Sequence, residues 1–343
     1  MVPIIVLLCV AALLVFLVVM TYRGNGMARY ALKRILLLIP TVLLVCVIVF
    51  ILLRAVPTSA VDYMIYQFQT AGITVDAAQV EHMLGMDKPA LIQFFDWFFG
   101  IFRGDLGESL FQTESVWDII SRQLPVTLEL GILTLIFSNL ISIPLGIYCA
   151  ARQDSIGDYV IRTISVLLLS LPVFWLATMV LVYPAKWWGY APPMTYVSFF
   201  QDPVENMRMF LVPALLGALT QAGMQLRTVR TMTLEVMRQD YIRTCWAKGV
   251  GEKRTLFVHA LRNSMIPIIT MIGGAVAGMI GGSVILETMF NMPGIGAQVV
   301  SALDTRDYPL VQGCVLVFSI FVMAVNLLVD LAYKWIDPRV ELD

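Results

Sequence analysis

Charged side chains are scarce in this chain of 343 residues: Asp, Glu, Lys and Arg make up 14% of it, and histidine occurs twice. His82 and His259 are isolated, and the five cysteines show no paired spacing. Neither a disulfide framework nor a metal site is therefore expected. The sequence also lacks a G-x-x-x-x-G-K-[ST] loop for ATP phosphates and a nucleophile paired with a base, so it does not predict an enzyme.

Apolar residues are correspondingly abundant. They make up 59% of the chain, and the mean hydropathy of +0.82 is far above that of a soluble domain. The sequence therefore predicts an all-α integral membrane protein. The spans offer few ionisable groups, since Glu129, Glu287 and Asp330 lie near span ends, so a relay of buried carboxylates for protons is not expected.

Six core spans are predicted from apolar runs of suitable length. They cover residues 35–53, 126–151, 164–183, 211–226, 268–286 and 310–333. We divide the chain into an extra N-terminal span (1–26), the first core helix (27–53), an extracytoplasmic helical region (54–125) and a core domain (126–343). The apolar run in residues 1–26 has two interpretations. It is either a genuine additional helix, which we favour, or the product of a start codon upstream of the usual start at Met27.

The distribution of basic residues predicts the orientation. On this topology sixteen Lys and Arg residues lie on one side of the membrane and seven on the other. Because basic residues accumulate on the cytoplasmic side, the C-terminus is expected to be cytoplasmic. The acidic region 54–125 is then external.

A cytoplasmic loop over residues 227–266 stands out because it is polar, basic and ordered in its spacing. It reads as a short helix with Asp240 as its N-cap, ended by Gly249, and a second helical run from Lys253 to Arg262 that leads to Pro267. The simpler alternative is a basic loop that only follows the charge rule.

Several phrases resemble one family, the membrane subunits of ABC importers, and within it the first permease subunit of dipeptide, oligopeptide, glutathione and nickel importers. They are D-Y-x-R-T-x-x-A-K-G from Asp240, H-A-L-R-N-x-x-I-P from His259, G-D-L-G-E-S from Gly104, E-T-M-F-N-M-P-G-I-G from Glu287, R-D-Y-P-L-V-Q-G from Arg306 and D-P-R-V from Asp337. Three departures from the family pattern are Arg-Thr-Cys in place of the Glu-Ala-Ala of its coupling loop, Arg262 where a Pro is usual, and P-T-S-A in place of P-G-D-P after the first core span.

The resemblance implies a type I ABC importer fold and a short cytoplasmic helix that docks on an ATPase. Its coupling residues would be Asp240, Tyr241, Arg243, Thr244, Cys245, Ala247, Lys248 and Gly249. The implied partners are a second, homologous permease subunit, two ATPase subunits that bind ATP and Mg, an extracytoplasmic binding protein and the lipid bilayer of a bacterial or archaeal cell membrane. This chain itself is expected to bind no cofactor, no metal and no nucleic acid.

Polar residues within the spans are candidates for a wet pathway. They are Asn139, Gln221, Gln225, Ser283 and Glu287. Gly274, Gly278 and Gly282 form a small-residue stripe, which serves either packing within this chain or a seam with a second permease subunit.

The resemblance favours ATP-driven uptake of short peptides. Nickel, a metal chelate or glutathione is the alternative within the family, and the sequence does not separate these substrates. From a different class, a channel or scaffold that needs no ATPase is the alternative, although the sequence offers no filter-like repeat.

Overall fold

A computed structural model describes residues 26–57, 59–189, 191–193 and 195–336. Within these residues the chain is helical, and an isolated bridge between Glu108 and Ser115 is the extent of β-structure. The helices are α1 (Gly26–Ala55), α2 (Ala60–Thr70), α3 (Ala77–Met83), α4 (Ala90–Phe102), α5 (Val116–Ala151), α6 (Ile156–Ser170), α7 (Val173–Trp188), α8 (Pro203–Met237), α9 (Asp240–Ala247), α10 (Glu252–Arg254), α11 (Leu261–Met289), α12 (Ile295–Thr305) and α13 (Tyr308–Ile336). The extra N-terminal helix predicted in residues 1–26 lies outside this part of the chain, apart from its last residue.

Five of these helices are long and apolar enough to cross a membrane, namely α1, α5, α8, α11 and α13, and α6 with α7 forms a bent pair that counts as a sixth span. The prediction of an all-α membrane protein is thus confirmed. The prediction of six core spans is confirmed when the bent pair is counted as one span. The expectation of an unbroken span over 164–183 is wrong, because the pair bends by 92°. Pro172 explains the break: it holds Leu171 in an extended conformation, with ψ at 122°.

Local side chains fix several helix starts. Ser59 and Asp62 form a reciprocal capping box at α2, and the hydrogen bonds from Ser59 hold the pKa of Asp62 below its ordinary value. Asp202 accepts hydrogen bonds from the N–H groups of Val204 and Glu205 at the start of α8. These caps satisfy amide groups that a helix leaves without partners.

The described residues divide into two compact units, one with residues up to 124 together with 298–331, the other with residues 125–297 and those from 332 onwards. In the first unit two sequence motifs that lie almost 200 residues apart meet. The Ser109 hydroxyl and the Leu110 N–H both donate to the carboxylate of Asp307, which is buried. The G-D-L-G-E-S turn is therefore held against the start of α13.

Replacing Asp307 with Ala should destabilise this unit by about 2–3 kcal/mol, because Ser109 and Leu110 would be left as buried donors without an acceptor. Thermal unfolding of the purified chain in detergent measures the effect. The matched control is Asp304→Ala, which removes the same charge from an exposed position and should change stability by less than about 0.5 kcal/mol. Equal shifts for the two variants would contradict the assigned role of Asp307.

The second unit is built around α8, the most buried of the five long apolar helices. This helix packs against α6 and α11. One apolar cluster, containing Leu130, Phe210 and Leu286, joins α5, α8 and α11. A second cluster, at the other end of α8, contains Val229 and the short helix α9, and it positions the candidate site described next.

Candidate coupling helix and substrate cavity

The loop singled out in the sequence contains the predicted short helix, α9. The predicted N-cap was wrong by one residue: Gln239 occupies that position, without a side-chain cap, and Asp240 is the first helical residue. A carboxylate there still interacts favourably with the positive end of the helix dipole. Gly249 ends the helix as predicted, at a φ of +74°. The Gly249 N–H donates to Trp246 O and the Val250 N–H to Cys245 O, which completes a Schellman motif.

One side chain anchors α9 to the rest of the unit. Ile242 is fully buried and packs in a cluster with Ile147, Val229, Leu256 and Ile268 from the flanking helices. The cluster joins α9 to α5 and α8 as well as to α11. The cluster therefore connects α9, directly or through its other members, to three long helices of the unit.

The rest of the helix surface is open. Of the predicted coupling residues, Asp240, Tyr241, Arg243, Thr244, Ala247, Lys248 and Gly249 are exposed, and Cys245 is partly exposed. Tyr241 is fixed by a hydrogen bond of 2.7 Å that Asn263 Nδ2 donates to its hydroxyl. The structure thus brings the predicted residues together on and directly after a short helix with an exposed outer surface and adds Trp246, which is 45% exposed. Nothing in the sequence pattern had marked Trp246.

The second helical run is more continuous than expected. Glu252–Arg254 leads into a π-helical segment, Thr255–Ala260, which passes into α11 without a break. Pro267 lies inside α11 rather than at its beginning. Single π-helical turns within α-helices occur frequently at functional sites. Here the turn connects the coupling loop to a membrane span.

A buried ion cluster supports the same end of the unit, and sequence reasoning missed it. Asp158 is fully buried, and both of its oxygens accept hydrogen bonds from Arg230, at 2.9 and 2.8 Å. Arg162 lies 3.3 Å from the same carboxylate. The pair joins α6 to α8. The sequence carried little signal for it, because Asp158 lies in the polar stretch between Arg152 and Arg162, where a carboxylate needs no buried partner.

A cavity of about 640 Å³ opens among α5, α6, α7, α8 and α11. Three predicted pathway residues, Gln221, Gln225 and Ser283, line it. Gln225 is buried, its Oε1 accepts from Ser142, and its Nε2 has no partner among the described residues. This amide therefore keeps an unused donor beside the cavity.

Two other predicted pathway residues do not line this cavity. Asn139 donates to Leu135 O in its own helix. Glu287 is fully buried, accepts from Ser283 Oγ at 2.7 Å and from the Ala297 N–H at 3.0 Å, and so holds the start of α12. A carboxylate at a helix N-terminus is stabilised by the helix dipole. Their role in a pathway stays a prediction, while their contacts here are structural.

The glycine stripe faces the same cavity. Gly274, Gly278 and Gly282 line it, and a Cβ atom built on each would meet nothing within 4 Å. By contrast, a Cβ on Gly131 would lie 2.7 Å from Met279. Close helix packing against described residues of this chain therefore does not explain the stripe. The seam with a second subunit stays a prediction.

Among the residues that the structure describes, no three His, Cys, Asp or Glu side chains gather in a group that could hold a metal ion.

Comparison with known proteins identifies the family to which these features belong. Residues 142–342 match the family described as the binding-protein-dependent transport system inner membrane component. Residues 27–131 match the N-terminal part of such membrane components. Both matched ranges lie where the sequence motifs and the coupling loop had indicated a permease.

The similar proteins include named permeases. A putative peptide transport system permease protein of Brucella suis biovar 1 is 36% identical over 317 residues, which cover 92% of this chain and all of that protein. The dipeptide transport system permease protein DppB of Escherichia coli K12 is 32% identical over 338 residues, covering 92% and 99%. The di/tripeptide permease DppB of Pseudomonas aeruginosa is 32% identical with the same coverage.

Proposed function

This chain belongs to the family of binding-protein-dependent transport system inner membrane components and is a permease of the type I ABC importer fold; from that premise we propose that it takes up short peptides, driven by partner ATPases through α9. The observation that carries the proposal is α9 itself. It has an anchored inner residue, an open outer surface and a place in one apolar cluster with residues of three long helices.

The substrate class is supported by the relatives and by the cavity. Each relative named above is described as a peptide, dipeptide or di/tripeptide permease. The polar groups at the cavity are uncharged amides and hydroxyls, which suit peptide groups of any sequence. Uptake of radiolabelled dipeptide, compared with nickel and glutathione, tests the substrate. Preferential uptake of nickel or glutathione would replace the peptide assignment and leave the permease assignment standing.

We place α9 and the C-terminus in the cytoplasm. The excess of basic residues on that side supports this orientation. Cys245 provides a test, because it is the one described cysteine that is not buried. With Cys9 replaced by Ser, a membrane-impermeant maleimide should label inside-out vesicles and spare intact cells. The reverse pattern would place α9 outside, away from any ATPase.

The same thiol tests the ATPase partner. Candidate ATPase subunits, added to inside-out vesicles, should protect Cys245 from the maleimide, and they should co-purify with this chain. If the chain purifies alone and Cys245 stays equally reactive, the ATPase-independent channel or scaffold becomes the better assignment. A loaded binding protein should then also fail to stimulate ATP hydrolysis.

Gly249 and Gly251 form a matched pair for testing α9. Gly249 has a φ of +74°, whereas Gly251 has a φ of −63°, and a Cβ on either meets nothing within 4 Å. Gly249→Val should therefore strain the end of α9 by about 1–2 kcal/mol or more and reduce the peptide taken up per ATP hydrolysed. Gly251→Val should have little effect on either rate. If both variants behave alike, the geometry of the helix end does not matter for coupling.

A second, homologous permease subunit is proposed to face the glycine stripe. Gly278→Leu should leave the thermal stability of the isolated chain within about 0.5 kcal/mol, because the stripe meets open space. The same variant should lose co-purification with the second subunit. Gly131→Leu is the contrasting variant, since it clashes with Met279 and should destabilise the chain itself by about 1–3 kcal/mol. If Gly278→Leu still co-purifies with the second subunit, the glycine stripe is not the contact surface between the two permease subunits.

A further inference from the structure

Three residues that line one cavity in the first unit each carry a buried hydrogen-bond donor without a partner among the described residues. The donors are Arg54 Nη1, Trp97 Nε1 and Gln312 Nε2. Their residues line a cavity of about 300 Å³ between the end of α1, helix α4 and the beginning of α13. Gln312 is 4% exposed. Because buried donors are nearly always satisfied in folded proteins, this cavity has the character of a binding site for an acceptor-rich group.

The charge of Arg54 is also uncompensated. Its Nη2 donates to Gln93 Oε1, and its guanidinium lies 3.5 Å above the ring of Phe50, but it makes no ion pair among the described residues. The acidic groups at the cavity are engaged elsewhere. Asp96 pairs with Lys88 at 3.0 Å, and Asp105 accepts the N–H of Gly107 at 2.8 Å. Arg54 is therefore a cation at this cavity that lacks an ion-pair partner among the described residues.

An apolar groove of about 560 Å³ adjoins this cavity and shares Phe50 and Arg54 with it. Its other walls come from α1 and α4, and its lining residues Ile51, Leu91 and Phe95 are 58%, 73% and 52% exposed. Helix α1 is a candidate membrane span with little of its surface buried in the protein. The groove thus opens on the side where lipid chains would lie.

We propose that a glycerophospholipid occupies this site, with its phosphate on Arg54 and an acyl chain in the groove between α1 and α4. The phosphate oxygens would accept the N–H groups of Arg54, Trp97 and Gln312, and the phosphate would supply the counter-charge that Arg54 lacks among the described residues. The apolar groove would bury part of the chain. A small soluble anion would satisfy the donors but leave the groove empty.

Native mass spectrometry of the full chain, purified in mild detergent and delipidated, tests the proposal with phosphatidylglycerol as the probe. Wild-type protein should retain one lipid, and Arg54→Gln should bind it about tenfold more weakly or worse. Arg103→Gln is the matched control, because it removes an exposed arginine from the same unit, and it should bind like wild type. Equal binding by all three proteins would overturn the proposal.

Further binding measurements distinguish a bound lipid from a free anion. Leu91→Asp, which places a charge in the groove at an exposed position, should weaken the same binding, and dioleoylglycerol, which lacks phosphate, should not occupy the site. Inorganic phosphate should not displace the lipid. Displacement of the lipid by phosphate would instead assign a small-anion site, and unchanged lipid binding in Leu91→Asp would show that the acyl chain does not occupy the groove. Either result would overturn the proposal.

Thermal unfolding distinguishes binding from a structural role. Added phosphatidylglycerol should raise the unfolding temperature of wild type and Arg103→Gln but not that of Arg54→Gln. Without lipid, Arg54→Gln should be at least as stable as wild type, because the substitution removes a partly buried charge that makes no ion pair among the described residues. A variant that is unstable in both conditions, and gains the same stabilisation from lipid as wild type, would show that Arg54 is structural.

Discussion

Asp158→Asn should destabilise the second unit by about 3–5 kcal/mol, the largest effect on stability that we expect from a single substitution. The fully buried carboxylate receives two hydrogen bonds from Arg230 and lies 3.3 Å from Arg162. Neutralising it leaves the largely buried guanidinium of Arg230 without a counter-charge. Arg230→Met should also be destabilising, because it removes both arginine hydrogen bonds from the carboxylate and leaves Arg162 as its nearby cation.

The double replacement Asp158→Leu with Arg230→Met separates the charge effect from the loss of packing. Removing both charges should recover much of the stability, because an apolar pair of similar volume avoids the desolvation of both ions. Membrane protein levels and thermal unfolding in detergent give the measurement. An exposed pair serves as the control: Arg208→Gln breaks a surface ion pair with Glu205 and should change stability by less than about 1 kcal/mol. A double variant no better than either single variant would mean that geometry, rather than charge balance, explains the cluster.

Ile242→Asp should abolish peptide uptake while the chain remains inserted in the membrane. The substitution puts a carboxylate without a partner into the apolar cluster that anchors α9, and burying such a charge is unfavourable by several kcal/mol. The helix should therefore undock, and a shift of about 5.5 kcal/mol reverses a 99:1 population. We expect uptake to fall at least about a hundredfold, whereas the long helices keep the contacts that do not involve Ile242.

Uptake into proteoliposomes, measured beside ATP hydrolysis and the amount of inserted protein, checks this result. Ile242→Val is the conservative variant, which should lose about 0.5–1.5 kcal/mol of anchoring and retain most of the uptake. If Ile242→Asp transports within about twofold of wild type, α9 does not transmit the force. If it fails to insert, α9 is needed for folding and the uptake measurement says nothing about coupling.

Features that depend on neighbouring residues were predictable from the sequence. Gly249 could be placed at the end of α9 because a left-handed residue there favours glycine. The spans followed from apolar runs, and the coupling loop from its charge. The error at Asp240 was one residue, and it arose because Asp serves equally well as an N-cap and in the first turn.

Features that depend on distant residues were not predictable from one sequence. Ser109 and Asp307 were both in recognised motifs, yet nothing in either motif indicates that they meet. The partner of Asp158 was equally hidden, because several arginines lie within reach of that end of the unit. Candidate pathway residues were chosen by polarity alone. Polarity does not separate Gln225, which has a free donor in the cavity, from Glu287, which holds a helix start.

The break at Pro172 leaves the third core span very little spare length. Its two halves contain 15 and 16 residues, or about 22 and 24 Å of helix. The two halves meet at 92°. Their combined extent along the membrane normal is greatest when each half is tilted by about 46° from that normal, which is beyond the usual range of helix tilts. That arrangement reaches about 32 Å, against a hydrocarbon thickness of about 30 Å. Deleting a single helical turn would leave this part of the chain too short unless the bilayer thinned around it.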